Sequence, residues 1–114
     1  MKKLIVLVFL LCGSVLAGDV YVKTFEITNR DEAHGYLRFI AKIEIANTGG
    51  ESGHWKAEVQ GLDKTGFPIA KQTANIETYL PAFGSIKDAD EMIFESREVV
   101  GVEKWQVVIK PRGY

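Results

Sequence analysis

The sequence is poor in the side chains that most often carry chemistry in proteins. Its 114 residues contain one cysteine, Cys12, and two histidines, His34 and His54. Because Cys12 lies in the apolar segment at the start of the chain, residues 18–114 contain no thiol. This absence excludes a disulfide framework, a thiolate nucleophile and a cysteine-based metal site from that part, whose stability must come from packing.

Long apolar runs and an excess of one charge are also absent. The apolar run at residues 4–11 is well short of the roughly 20 residues that a helix needs to cross a bilayer, so no permanent membrane span is predicted. The chain has 14 basic and 15 acidic residues, and removal of Lys2 and Lys3 with the first segment leaves 12 against 15, a net charge of −3. Such a surface does not favour nucleic acid or anionic lipid as a partner.

The first 17 residues have the pattern of a secretory signal peptide. Two lysines precede the apolar run, and Val15-Leu16-Ala17 is a small-residue cleavage site. The pattern predicts cleavage between Ala17 and Gly18. It leaves a single mature domain, residues 18–114, that is periplasmic or secreted.

Cys12 leaves one alternative to this processing open. A cysteine followed by Gly13-Ser14 can begin a lipid-anchored protein, but Leu11 occupies the position at which the lipoprotein signal peptidase needs a small residue. The ordinary cleavage site after Ala17 is therefore the prediction, and a lipoprotein anchored through Cys12 is the minor alternative.

Apolar and polar side chains alternate between residues 36 and 47. Leu37, Phe39 and Ile43 fall on one face, whereas Arg38 and Lys42 fall on the other. A period of two predicts a half-buried strand. Similar patterns predict six further strands, at residues 20–28, 54–62, 67–73, 75–80, 86–94 and 105–110.

Turn signals separate these segments. Residues 47–53, rich in glycine and short polar side chains, predict a loop, and Asp63-Lys64-Thr65-Gly66 predicts a hairpin turn. Pro81 ends a strand because it cannot donate a ladder hydrogen bond. About seven short strands without a convincing helical period are typical of an all-β, immunoglobulin-like antiparallel β-sandwich. Residues 89–98 could hold one short helical turn.

Several of these segments resemble the FxLYD-type domains, which are small immunoglobulin-like sandwiches of bacterial envelope and secreted proteins. The resemblance rests on Ala46-Asn47-Thr48, on Gly61-Leu62-Asp63 with the turn after it, and on the break from Pro81 to Gly84. It covers roughly half of the mature chain. The resemblance implies a β-sandwich that acts as an accessory or binding module, and it implies no catalytic residues.

A metal site would need both histidines. His34, His54 and a carboxylate such as Asp31 would have to converge, since no cysteine is available as a ligand in the mature chain. Their positions near predicted loops favour exposed side chains instead. The sequence therefore predicts no metal and no cofactor.

Aromatic side chains give the more specific signal. Trp55 and Trp105 lie in phase with apolar neighbours, which predicts packing between the sheets. Tyr79, Phe83 and Phe67 flank turns, where burial is less certain. If these turns share one end of the sandwich with the loop at 47–53, the three aromatics would form a patch suited to a protein or glycan partner.

These observations predict a function in binding rather than catalysis. We expect an exported accessory or binding module that contacts a protein partner of the envelope, through the turn aromatics or by strand addition at residues 20–28 or 105–110. One alternative is a small domain that binds a ligand, glycan or metal, or a carboxylate-based hydrolase; another is a structural component of an envelope assembly.

Overall fold

The computed structural model describes residues 20–76 and 79–111 and confirms the predicted all-β class. The signal peptide, its cleavage between Ala17 and Gly18 and the alternative at Cys12 lie outside these residues. None of the helical structure in the described ranges is long and apolar enough to cross a membrane. The seven strands are β1 (Val20–Ala33), β2 (Tyr36–Asn47), β3 (Gly53–Leu62), β4 (Pro68–Thr73), β5 (Tyr79–Leu80), β6 (Ser85–Glu95) and β7 (Lys104–Pro111).

The strands form two antiparallel sheets that pack as an immunoglobulin-like sandwich. One sheet has the order β1-β2-β6, and in the other β3 lies between β4 and β7. The two-residue strand β5 pairs with the first residues of β3. Pairing of β2 with β6 and of β3 with β7 corresponds to the B–E and C–F pairs of immunoglobulin domains.

Strand β2 lies at the centre of its sheet, and the alternation along its sequence separates a buried face from an outer one. Its inward side chains are at most 1% exposed, namely Leu37, Phe39, Ala41, Ile43 and Ile45. Arg38 and Lys42 on the other face are exposed. Burial of five apolar side chains from one strand is a major share of the hydrophobic stabilisation of so small a domain.

An aromatic cluster joins the two sheets. The ring of Phe39 on β2 lies 5.0 Å from the ring of Trp105 on β7 and 6.1 Å from that of Phe94 on β6. Gly61 on β3 leaves room for the indole, since a Cβ there would stand 3.0 Å from Trp105 and 2.7 Å from Val102. Trp105 is therefore a core residue.

Trp55 is half-buried and packs against the same core. Its buried indole N–H has no hydrogen-bond acceptor within the described part of the chain.

Two predicted boundaries are wrong. Of the described residues in the predicted strand 75–80, Tyr79–Leu80 is strand, whereas Asn75 and Ile76 are not, because the backbone N–H of Asn75 donates to the Asp90 carboxylate at 2.8 Å. The predicted strand 20–28 ends too early, since β1 continues through residues 29–33 beyond an irregularity between Thr28 and Asp31. The short helical turn predicted within 89–98 is a single 3-10 turn at Ser96–Glu98.

The outer face of the β3–β7 pair carries a polar network. The Gln60 amide donates to Glu58 Oε1 at 2.8 Å, and Lys110 Nζ lies 3.1 Å from the same oxygen. The Gln106 amide donates to Gln60 Oε1 at 2.9 Å. Burial raises the pKa of Glu58, but the Gln60 and Lys110 hydrogen bonds and the charges of Lys110 and Lys71 outweigh it, so that the net pKa is lowered.

This network predicts a loss of stability in acid. A carboxyl with a lowered folded-state pKa stabilises the fold at pH values above its unfolded pKa, and that contribution is lost as the pH falls through the folded-state pKa. We expect Glu58→Gln to lower the free energy of unfolding by about 1 kcal/mol or less at pH 7. The difference from the wild type should shrink as the pH falls below 4.5, the ordinary value, toward the lowered folded-state pKa of Glu58. Urea unfolding at pH 7 and at a series of acidic pH values measures this difference, with Glu91→Gln, at an exposed site, as control. A difference that stays constant throughout the acidic series would contradict the assignment.

Candidate binding surface

Two connections meet at the end of the sandwich where β2 leads into β3. They are the loop 48–52 and the turn from Pro81 to Gly84 between β5 and β6. Tyr79 precedes this turn and Phe83 lies within it, while His54 follows the loop. We call Tyr79, Phe83, His54 and the loop 48–52 the loop-end surface.

Asn47, the last residue of β2, joins the loop 48–52 to the turn from Pro81 to Gly84 through hydrogen bonds. Its side-chain amide donates to the carbonyls of Glu51 at 2.8 Å and Pro81 at 3.3 Å, and its Oδ1 accepts from Gly49 N at 2.9 Å. Its backbone N–H donates to the Gly84 carbonyl at 2.8 Å. Only 4% of Asn47 is exposed, so these bonds are sheltered from water and hold the loop against the turn.

Phe83 combines backbone strain with exposure. Its φ is 57°, in the left-handed region that normally favours glycine. Phe83 is 75% exposed, and its ring lies beside the loop, where a Cβ on Gly50 would stand 3.5 Å from Cζ. The Phe83 N–H donates to Gly49 O at 3.0 Å, which holds the strained residue in place.

The turn places this phenylalanine where glycine would be the unstrained choice. Gly84 closes the turn by donating to Pro81 O at 3.1 Å, and it must be glycine because a Cβ there would stand 2.6 Å from the Pro81 ring. Phe83 itself is mostly exposed. A left-handed conformation costs a non-glycine residue about 1–2 kcal/mol.

Tyr79 and His54 form the second part of the loop-end surface. They are directly opposite each other on β5 and β3, and their ring centroids lie 5.0 Å apart at an angle of 57°. Tyr79 is 45% exposed. Cross-strand ring pairs of this kind stabilise a short strand while leaving one face of each ring open to contact.

The structure separates Phe67 from the other two predicted aromatics. Phe67 follows the turn after β3, where its backbone N–H donates to Asp63 Oδ1 at 3.0 Å. Asp63 stands beyond the last residue of β3, whereas the loop-end surface lies beside its first residue, roughly 30 Å away for a strand of this length. The patch of three aromatics is therefore not formed; Tyr79 and Phe83 share an end, and Phe67, 65% exposed, lies at the other.

The candidate metal ligands also lie apart. His34 is in the turn between β1 and β2, and His54 begins β3, so the two stand at opposite ends of the twelve-residue strand β2. Asp31 lies in β1, opposite Arg38. Within residues 20–76 and 79–111, no three histidine or acidic side chains are grouped in a way that could hold a metal ion.

Sequence reasoning missed the role of Asn47. An asparagine two residues before a glycine is a signal for the local bond to Gly49. The bond to Pro81 spans 34 residues and has no local signal. Only the fold reveals that one side chain organises both connections.

Comparison with known proteins leaves the chain without a family. No protein-family model and no curated protein matches it. Among solved structures, the crystal structure of Campylobacter jejuni cj0090 is similar, with a TM-score of 0.41 and 21% identity over 88% of this chain and 94% of that chain. A similarity of this degree assigns neither a family nor an activity.

Proposed function

We propose that this chain is an exported binding module that acts by protein–protein contact through the loop-end surface. The observation that carries the proposal is Phe83, a bulky side chain held at a φ of 57° with three quarters of its surface exposed. Strain at an exposed residue contributes nothing to stability, and such strain is concentrated at functional sites. A large apolar side chain presented by a fixed turn is also the usual anchor of a protein interface.

The surroundings of Phe83 support a preorganised surface. Asn47 fixes the loop and the turn before any partner arrives, so little conformational entropy would be lost on binding. Tyr79 and His54 add amphipathic rings at the same end, and Lys23, Thr48 and Ser85 line a shallow depression beside Phe83. Aromatic side chains with polar neighbours are typical of interface centres.

The proposal also includes export of the protein and an accessory rather than catalytic role. The signal-peptide pattern of residues 1–17 supports export to the periplasm or the medium. The resemblance to FxLYD-type domains supports an accessory role for the domain rather than catalysis.

The test is paired substitution at the loop-end surface. We expect Phe83→Gly to leave the free energy of unfolding within about 1 kcal/mol of the wild type, because relief of strain offsets the lost ring contact. Phe83→Gly and Tyr79→Ser, each made separately, should abolish capture of the partner. The measurement is crosslinked affinity capture of the natively exported, C-terminally tagged protein with mass spectrometry, alongside thermal unfolding of each variant.

Phe67→Ser is the matched control, since it removes another exposed aromatic beside a turn, at the opposite end of the sandwich. It should leave capture unchanged. Loss of capture in all three variants, or none in the loop-end variants, would refute the assigned surface. A large loss of stability in Phe83→Gly would show instead that the residue supports the fold.

A further inference from the structure

The shallow depression beside Phe83 lies on the outer face of the β1-β2-β6 sheet. Ala46 lines it and follows the inward-facing Ile45, so its own side chain points outward. Ala46 lies opposite Tyr21 on β1 and Ser85 on β6. Residues opposite each other on paired strands share a face of the sheet, so a small side chain forms the floor between Tyr21 and Ser85.

Two exposed aromatic residues stand at this floor. Phe83 lines the depression and is 75% exposed, whereas Tyr21 stands beside Ala46 and is 41% exposed. The volume of the depression is about 390 Å³. Pockets that bind small ligands measure roughly 300–1,000 Å³, so the depression is large enough to take a side chain of a partner.

The depression is basic, although the mature chain is acidic. Lys23 is the only charged residue among the described residues that line it, whereas residues 18–114 contain 12 basic and 15 acidic residues. Thr48 and Ser85 add hydroxyl groups to the lining. An ammonium and a hydroxyl both donate hydrogen bonds to a carboxylate.

The carboxylate of Glu44 is close to Lys23 but leaves it accessible. Glu44 Oε2 lies 3.8 Å from Lys23 Nζ, and the side chain of Lys23 is 55% exposed against 13% for that of Glu44. Glu44 also lies opposite Lys87 in the pairing of β2 with β6. Glu51, on the loop 48–52, does not line the depression. Two lysines and one glutamate therefore give this part of the outer face a net positive charge.

We propose that the depression binds a carboxylate side chain of the protein partner, an aspartate or glutamate with apolar neighbours in the partner's sequence. This inference rests on the proposed function, because Phe83 belongs to the loop-end surface. Lys23 supplies the charge that selects the carboxylate, and the hydroxyls of Thr48 and Ser85 orient it. The apolar neighbours pack against Phe83 and Tyr21, which supply the contact area.

The experiment titrates the mature protein with a capped hexapeptide that alternates leucine with glutamate. Its analogue with glutamine in place of glutamate has the same shape and no charge. We expect saturable NMR chemical-shift changes at the amides of Ala46, Thr48 and Ser85, and binding of the glutamine peptide weaker by about fivefold or more. Added salt should reduce this preference, because both charges are exposed to solvent.

The control compares two lysines on the same face of the sheet. Lys23→Gln should remove the preference for the glutamate peptide. Lys42→Gln removes the same charge from an exposed site opposite Glu26 and Ala89, away from the depression, and should keep the preference. Equal binding of the two peptides to the wild type, or an unchanged preference in Lys23→Gln, would overturn the proposal.

Free glucuronate is the third probe, since an acidic sugar also carries a carboxylate. It should bind more weakly than the glutamate peptide, because it has no apolar side chain for the ring of Phe83. Binding as tight as that of the peptide would make an acidic glycan the occupant and overturn the proposal.

Phe83→Gly separates failure of this inference from failure of the proposed function. It should weaken both peptides alike, because the ring contact does not depend on charge. If the two peptides bind the wild type equally and Phe83→Gly weakens both, the carboxylate assignment is wrong and the loop-end surface stands. Absence of shifts at the lining residues with either peptide also overturns the inference, whereas capture with Phe83→Gly and Tyr79→Ser decides the proposed function.

Discussion

Replacement of Phe39 by alanine is expected to destabilise this domain by about 3–5 kcal/mol, the range for a fully buried phenylalanine. Phe39 is 1% exposed, and its ring contacts Phe94 on its own sheet and Trp105 on the other. The substitution leaves a cavity where the sheets meet and also removes two aromatic pairs. Small domains have a total stability of roughly 5–15 kcal/mol, so the loss is a large fraction of it.

Urea unfolding followed by tryptophan fluorescence measures this loss. Phe67→Ala is the control, because it removes the same side chain from an exposed turn and should change the free energy of unfolding by less than about 0.5 kcal/mol. Equal effects of the two substitutions would mean that the aromatic cluster does not hold the sheets together.

Replacement of Asn47 by alanine is the second large effect, about 2–4 kcal/mol. It removes three side-chain hydrogen bonds and leaves Gly49 N–H and the carbonyls of Glu51 and Pro81 without that partner. Because these bonds join the loop 48–52 to the turn that carries Phe83, we also expect lower affinity at the loop-end surface at temperatures where the variant is still folded.

Asn75→Ala is the matched control for Asn47, since Asn75 is exposed and its bond to Asp90 is made by the backbone. It should be close to neutral. Amide hydrogen exchange adds a local measurement, in which Asn47→Ala should speed exchange at Gly49 and Phe83 more than in the β2–β6 ladder. Uniformly faster exchange would indicate global destabilisation without a local role for Asn47.

The predictable part of the fold is the part governed by local chemistry. Strand 36–47 was predicted with both boundaries correct, because alternation along one strand reports directly which face is buried. The hairpin of β3 and β4 could also be predicted from the sequence, since Asp63 accepts hydrogen bonds from Thr65 N–H and Gly66 N–H, which are close to it in the chain.

The less predictable part depends on contacts between distant residues. The segment 75–80 was predicted as strand, yet the backbone N–H of Asn75 donates to Asp90, fifteen residues away. The candidate site shows the same limit. Tyr79, Phe83 and Phe67 each flank a turn, but only the pairing of β3 with β5 and the bonds of Asn47 decide which turns share an end.

The sequence by itself determined the all-β class, the predicted export pattern, the absence of thiol chemistry from residues 18–114 and the inward face of each main strand. These properties depend on composition and on a period of two, which neighbouring residues specify. The tertiary structure alone decided that His34 and His54 lie far apart, that Phe83 is strained and exposed, and that Tyr79 and Phe83 share one end of the sandwich without Phe67. Those properties arise from strand order and from bonds that span tens of residues, for which a sequence carries no local signal.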